Sequence, residues 1–311
     1  MSEAAPRRRD TALDALRGVA IIGMVLANLQ GSEKDAFPWI THAVWDGLTV
    51  ADLVFPMFLL AVGLSLPLAQ DGREPRASVG RIVRRSVLLW LIGFGISLIV
   101  HPSIYRADMR FTGVLQRIGI VYLVCALTVR STRTWRVPAI AAAALLVAHG
   151  MLLHLPAPGE AAASMDPGQG MSGWLDRAIL GGTRMYGGTF DPEGPLGTLS
   201  SIATAMIGVA IQRLAIRAAR PMRMWVGGAA LASVLGVAAI ALWPVTKALW
   251  TPSFALVQHV GTWTLGAEVY GSITRTRMPP GWASMLYAVL AGALSIAITL
   301  RLIRRGWTLR V

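Results

Sequence analysis

Thr41 to Leu66 reads THAVWDGLTVADLVFPMFLLAVGLSL, a histidine, two carboxylates and a long apolar run in unbroken succession. His42 opens it, Trp45 and Asp46 follow, and Asp52 stands at the entrance of a segment apolar enough to cross a bilayer. A titratable group at such an entrance is expensive to keep near lipid, so it caps the helix or takes part in chemistry. Both readings apply to Asp52, since Thr49-Val50-Ala51-Asp52 also matches a capping box.

The rest of the chain extends the pattern. Of its 311 residues, 54% are hydrophobic and 14% charged, and apolar runs of about 20 residues recur. This composition excludes an ordinary soluble domain and predicts an all-α, polytopic transmembrane helical bundle of about 8–10 helices. The net charge of +13 is carried by arginine, Lys34 and Lys247 being the two lysines. These arginines fall between apolar runs, where they set topology, so no nucleic-acid partner is expected. The lone Cys125 permits no intrachain disulfide, and no His/Cys spacing suits a metal. MSEAAPRRRD reads as a retained cytoplasmic tail, with residues 1–14 outside a single membrane domain, 15–311.

Arginines order the spans. Arg7, Arg8 and Arg9 keep the start of a first span, Ala15 to Leu29, in the cytoplasm, which puts the loop bearing His42 outside. Val50 to Ala69 returns to a basic loop with Arg73, Arg76, Arg81, Arg84 and Arg85. Ser86 to Val100 goes out, Phe111 to Val129 returns, and Val137 to Leu155 goes out again. A long outer loop, about 156–195, ends in GGTFDPEGPLGTLS. Leu196 to Leu214 and Met224 to Trp243 follow, with Lys247 and Trp250 in a short outer loop. Ser253 to Ser272, interrupted by His259 and Glu268, and Trp282 to Leu302 complete nine segments. Nine spans would strand Arg301, Arg304, Arg305 and Arg310 outside, so Ser253 to Ser272 is expected to re-enter or to lie in a protein-lined groove.

This topology gathers Asn28, His42, Asp52, Arg117, Asp191, Glu193 and Lys247 at or just below the outer surface. Arg117, six residues into its span, lies roughly 10 Å below the outer end and needs a partner, with Asp52, Asp191 and Glu193 as candidates. A structural ion pair accounts for it equally well. Asp191 before Pro192 fits a helix N-cap with a first-turn proline, and Asn28 fits a bond to a neighbouring helix. His101, His149, His154 and His259 read as satisfied interfacial residues. His42, in a short loop flanked by Trp39, Trp45 and Gly47, reads as a general base. At the inner ends, Asp14, Arg17, Arg81, Arg84 and Arg85 crowd together; arginines suit phosphates, although the positive-inside rule alone would place them there.

Six blocks resemble one family, the transmembrane acyltransferases typified by heparan-alpha-glucosaminide N-acetyltransferase and its bacterial relatives. They are LDALRG at Leu13 to Gly18, Asn28, HAVWDGLTVADLVFPMFL at His42 to Leu59, VLQRIGIVYL at Val114 to Leu123, FDPEGPLGTLSSIATAMIGV at Phe190 to Val209, and KALWTPSFAL at Lys247 to Leu256. The resemblance implies acetyl transfer from cytoplasmic acetyl-CoA to a sugar on the far side of the membrane, with His42 catalytic and Asn28 assisting. Asp52 joins them as the third catalytic candidate. Arg17, Arg84 and Arg85, with Gln116 and Arg117 deeper in the bundle, form the candidate set for acetyl-CoA. Asp191, Glu193, Lys247 and Trp250 form the set for the acceptor. The lipid bilayer of a bacterial cytoplasmic membrane is the expected setting, and a homodimer is common in the family. Thr246 stands where the family usually has Asn, and the chain after Ser253 is shorter than the pattern. A transporter would also bury Arg117 among carboxylates, but no internal repeat supports one. A polysaccharide O-acyltransferase shares only the LD-x-LRG-like start.

Overall fold

The apolar run after Asp52 forms a single helix, Val50–Gln70, because nothing polar interrupts it and Thr49 takes the extended conformation of a cap just before it. The structure, a computed structural model, describes residues 11–28, 36–37, 39–71, 77–100, 109–182, 184–186 and 188–259. The N-terminal tail before Thr11, His101 and the spans expected beyond residue 259 lie outside them. Among the described residues, eight helices are set in order: α1 Thr11–Asn28, α2 Val50–Gln70, α3 Val79–Val100, α4 Val114–Ser131, α5 Arg136–Leu153, α6 Gly170–Leu180, α7 Pro195–Arg217 and α8 Pro221–Ala239. Residues 252–259 are helical as well. α2, α3, α4, α5 and α7 are long and apolar enough to cross a membrane. The all-α, multi-span architecture expected from composition is therefore present.

α2 and α7 form the centre. They cross so closely that a Cβ on Gly63 would lie 2.0 Å from the Ala205 carbonyl oxygen, and one on Gly208 would lie 2.7 Å from that of Leu60. Small residues at a crossing let two backbones approach within dispersion contact, which drives helix association in lipid. α4 closes over this pair through Val121, Cys125 and Val129, packed with Leu59, Ala203 and Met206. α3 leans on α4, where the Ser86 hydroxyl donates to the Gly119 carbonyl at 2.7 Å.

At the arginine-rich end, buried Arg213 of α7 donates to both Asp71 carboxylate oxygens at 3.0 and 3.1 Å and to the carbonyls of Val129, Thr132 and Thr134. One guanidinium thus gathers the exits of α2 and α4. Its planar five-donor fork suits this role as a lysine would not.

Several boundaries differ from expectation. α3 begins at Val79 rather than Ser86, so Arg81, Arg84 and Arg85 ride on its first two turns, exposed, while Ile82 and Ser86 on the opposite face are buried. Long arginine stems allow this, since they carry their charge to the polar boundary. α4 begins at Val114 rather than Phe111, placing Arg117 in its first turn instead of a second. The long loop contains α6, too short and polar to register as a span. α7 is capped by Gly194 and begins with Pro195, so Asp191 and Pro192 precede the helix rather than cap it.

Candidate functional site

Two loops meet at the end of the bundle where α2, α4 and α7 begin. The loop before α2 is tied to the loop after α8: the Gly47 N–H donates to the Val245 carbonyl at 2.8 Å, Asp46 and Thr246 form an antiparallel bridge, and the Thr246 hydroxyl donates to Asp46 Oδ1 at 2.5 Å. Within the second loop, Thr251 and Ser253 hydroxyls donate to the Pro244 carbonyl, and Trp250 adopts φ 52°. A tryptophan in the left-handed region is strained and persists only where its surroundings hold it. Here Trp250 packs edge-on against Phe55 and Phe254.

These ties bring His42, Asp52 and Lys247 together. Asp52 is fully buried. Its Oδ2 accepts from the Ala43 N–H at 3.1 Å, the Thr49 N–H at 3.1 Å and the Thr49 hydroxyl at 2.9 Å. Its Oδ1 lies 2.8 Å from His42 Nδ1 and 3.2 Å from Lys247 Nζ. The carboxylate therefore caps α2 and orients the imidazole at once, one oxygen for each task. A carboxylate only accepts, so in the tautomer that donates to Asp52 the proton sits on Nδ1 and Nε2 keeps a lone pair, whereas Lys247 Nζ, 2.8 Å from Nδ1, faces that nitrogen as a donor. Burial holds Lys247 below the usual lysine pKa, with Asp52 opposing that effect.

A second cluster faces the first. Arg110 grips Asp191 with both arms of its fork, Nε to Oδ2 at 2.6 Å and Nη2 to Oδ1 at 2.5 Å, and also pairs with Glu193. Thr112 adds a hydroxyl to Asp191 at 2.7 Å, and the Tyr186 ring lies over the guanidinium. Burial works against the charge on Arg110, but Asp191 and Glu193 outweigh it and raise its pKa. Burial also opposes the Asp191 charge, yet Arg110 holds that carboxyl below its usual range. Asp176 of α6 accepts the Asp191 N–H at 3.0 Å and is pushed up to about 6, first by burial.

Arg110, not Arg117, is thus the partner of the outer carboxylates. Arg117 lies buried with its guanidinium over the Trp250 ring at 5.2 Å and Nη2 donating to the Gly194 carbonyl at 3.2 Å. The sequence did carry a signal for Arg110: in the topology expected from the arginines, it falls on the side that the positive-inside tendency reserves for few basic residues.

A cavity of about 390 Å³ separates the clusters. Asn28, His42, Arg110, Glu193 and Lys247 line it, with Trp45, Phe55, Tyr186, Phe190 and Trp250 as aromatic walls. Trp45 is fixed by the Met165 carbonyl and stands edge-on to Phe190. Asn28 donates from Nδ2 to the Met24 carbonyl at 2.8 Å. The outer set read from sequence is thus brought together, with Asp52, Asp191 and Arg117 behind the wall rather than on it.

The expected nucleotide set divides. Arg84 and Arg85 line a cavity of about 270 Å³ at the opposite end, with Arg81, Gln70 and Tyr122. Gln116 and Arg117, in the first turn of α4, belong to the His42 end, and Arg17 on α1 is not among the residues of that second cavity.

Fold and site define a membrane-type helical bundle with an acid–base cluster at one end and an arginine-lined cavity at the other. Residues 9–162 match the family model described as "Heparan-alpha-glucosaminide N-acetyltransferase, catalytic". The chain is a relative of these acetyltransferases. Heparan-alpha-glucosaminide N-acetyltransferase of Homo sapiens is 31% identical over 322 aligned residues, covering 82% of this chain and 47% of that protein. The protein of that name from Mus musculus is 29% identical over 306, covering 78% and 46%. The chain thus spans about half the length of the curated relatives it matches. The resemblance read from the six blocks holds. Asn28, His42, Asp52, Arg110 and Arg117 fall within the matched segment; Asp191, Glu193 and Lys247 lie beyond it.

Proposed function

We propose that the chain is a membrane acetyltransferase that moves an acetyl group from cytoplasmic acetyl-CoA to a sugar, through a glucosamine-like amine or a hydroxyl, at the outward-facing His42 end. The observation that carries this reading is the imidazole held by a buried carboxylate in an aromatic-walled cavity. Flat aromatic faces suit the apolar face of a sugar ring, and Glu193 beside them suits its donors.

Acetyl-CoA fits the opposite end by the chemistry of its lining. Arg81, Arg84 and Arg85 offer guanidinium forks for phosphates, and Gln70 contributes a buried side-chain oxygen without a protein partner. The donor supplies the activated acetyl thioester. At the His42 end, Nε2 takes the acceptor's proton as its nitrogen or oxygen attacks, and Asn28 donates to the developing oxyanion. The carbon–sulfur bond then breaks and the thiolate of CoA departs. If His42 carries the acetyl group transiently, kinetics will be ping-pong. The setting is a bacterial cytoplasmic membrane with the N-terminus inside, and the assembly a homodimer.

Labelled acetyl-CoA presented to the arginine-rich face of proteoliposomes, with glucosamine and other sugars enclosed, tests the reading. Labelled sugar should appear with the parent protein and not with His42→Ala, which should still bind acetyl-CoA. Release of the enclosed sugar without any acetylation would establish a transporter instead.

A further inference from the structure

Lys247 stands where a substrate contact is expected, yet its geometry turns it inward. Its Nζ lies 2.8 Å from His42 Nδ1, 3.4 Å from Nε2 and 3.2 Å from Asp52 Oδ1. These contacts form a closed triangle of carboxylate, ammonium and imidazole. Nδ1 stands at 2.8 Å from both a group that only accepts, Asp52 Oδ1, and a group that only donates, Lys247 Nζ, so in either tautomer the ammonium's charge rests directly against the ring.

The placement is built rather than incidental. Three ties pin this loop to the one bearing His42: Gly47 to Val245, the Asp46–Thr246 bridge, and the Thr246 hydroxyl to Asp46. The Trp250 N–H closes the turn on the Lys247 carbonyl at 2.9 Å, and its strained φ is part of that turn. With 21% of its side chain exposed, Lys247 has little freedom to swing into the cavity.

We propose that Lys247 is a positioning residue whose ammonium keeps His42 unprotonated, and so available as a base, while Asp52 fixes the ring's orientation. This rests on the acetyltransferase reading above. A carboxylate alone would orient the ring but would also invite a second proton onto it, and a protonated ring accepts nothing from the acceptor. An adjacent fixed cation counters that invitation. The other charged groups facing Lys247 are Glu193, which supports the ammonium, and Arg117, which opposes it. Arg110 shares the cavity but is occupied by Asp191 and Glu193. Asp46 is engaged by Thr246.

The test compares pH profiles of kcat/KM for glucosamine acetylation in the parent, Lys247→Met and Lys247→Arg. The sugar amine titrates identically in all three, so the difference between proteins is what is read. Removing the cation should let the ring hold its proton to higher pH, moving the acid limb of Lys247→Met upward by about one pH unit. Lys247→Arg should restore the parent's limb even if its kcat is lower. An unmoved limb in Lys247→Met, with any loss confined to KM for the sugar, overturns the proposal and makes Lys247 a substrate contact. A limb moved equally in both variants overturns it too, since charge would not be the cause. If Lys247→Met does not fold, Lys247→Gln is read in the same way. Failure of the parent to acetylate any sugar would count against the acetyltransferase reading itself, which separates the two claims.

Discussion

Asp52→Asn should separate folding from chemistry. Three donors converge on Oδ2, from Ala43, and from the backbone and hydroxyl of Thr49. Only the amide oxygen of an asparagine can face them, so its NH2 must face His42 and Lys247. An NH2 group only donates. It therefore forces Nδ1 of His42 to accept, which moves the ring proton to Nε2 and removes the lone pair from the cavity. Losing a general base in this way costs about a thousandfold in kcat, or about 4 kcal/mol of barrier. The stability loss should be smaller, about 2 kcal/mol, because the cap survives and only one charge-assisted bond is exchanged while Lys247 loses its counter-charge. The assay is kcat for glucosamine acetylation beside thermal unfolding in detergent, with acetyl-CoA binding as a check on the opposite end. A folded Asp52→Asn protein that retains kcat within about threefold of the parent would refute the orienting role, since no base with the wrong tautomer could do so.

Arg213→Ala should lower the stability of the detergent-solubilised protein by about 3 kcal/mol or more, read from chemical or thermal unfolding, because it leaves Asp71 and three carbonyls without their shared donor. Asp176 gives a pH signature. Its folded pKa of about 6 lies above the ordinary 3.8, so the folded state takes up a proton first and gains stability as pH falls between those values, by about 3 kcal/mol at most. Asp176→Asn should flatten that window, whereas Asp191, held below its ordinary value, loses its contribution only at lower pH; equal melting profiles for parent and variant would exclude the buried-carboxyl account. Val62→Trp should block acetyl transfer and leave acetyl-CoA binding intact, since Val62 lies on α2 between the residues lining the two cavities and the proposed reaction requires the thioester arm of acetyl-CoA to reach from one to the other; undiminished transfer would mean that this arm takes another route.

The fold was legible because its signals are strong and local. Uninterrupted apolar runs register as helices whatever surrounds them, and arginines between them order the chain. Boundaries were less so, because a helix can extend past its apolar stretch when arginines reach water, as α3 does from Val79. α6 escaped notice since an 11-residue helix folded onto other loops has no membrane signature. At the site, His42, Asp52 and Lys247 were readable individually, as polar groups where polar groups are costly. Their triangle was not, because it depends on two loops about 200 residues apart being tied edge to edge, and a one-residue slip in either would separate them. The pairing of Arg110 over Arg117 was hidden for a related reason. Both are arginines near the start of one helix, and only the true beginning of α4 decides which faces Asp191 and which lies beneath Trp250.

α2 and α7 explain how loops can hold such a site. From Asp52 to Gln70, α2 advances about 27 Å at 1.5 Å per residue, close to the hydrocarbon thickness of a bilayer. One end carries the carboxylate that orients His42, and the other carries Gln70 and Asp71 beside the arginine-lined cavity. α7 runs parallel to it, with Asp191 and Glu193 just before its first turn and Arg213 near its last. Because Gly63 and Gly208 bring these backbones into direct contact midway, neither helix can slide without a clash. The loop of His42 is anchored to α2 through Asp52, and Arg117 joins the Gly194 cap of α7 to Trp250 in the loop of Lys247. Each catalytic candidate is therefore one or two bonds from a rigid helix end, and the loops supply direction while the helix pair supplies position.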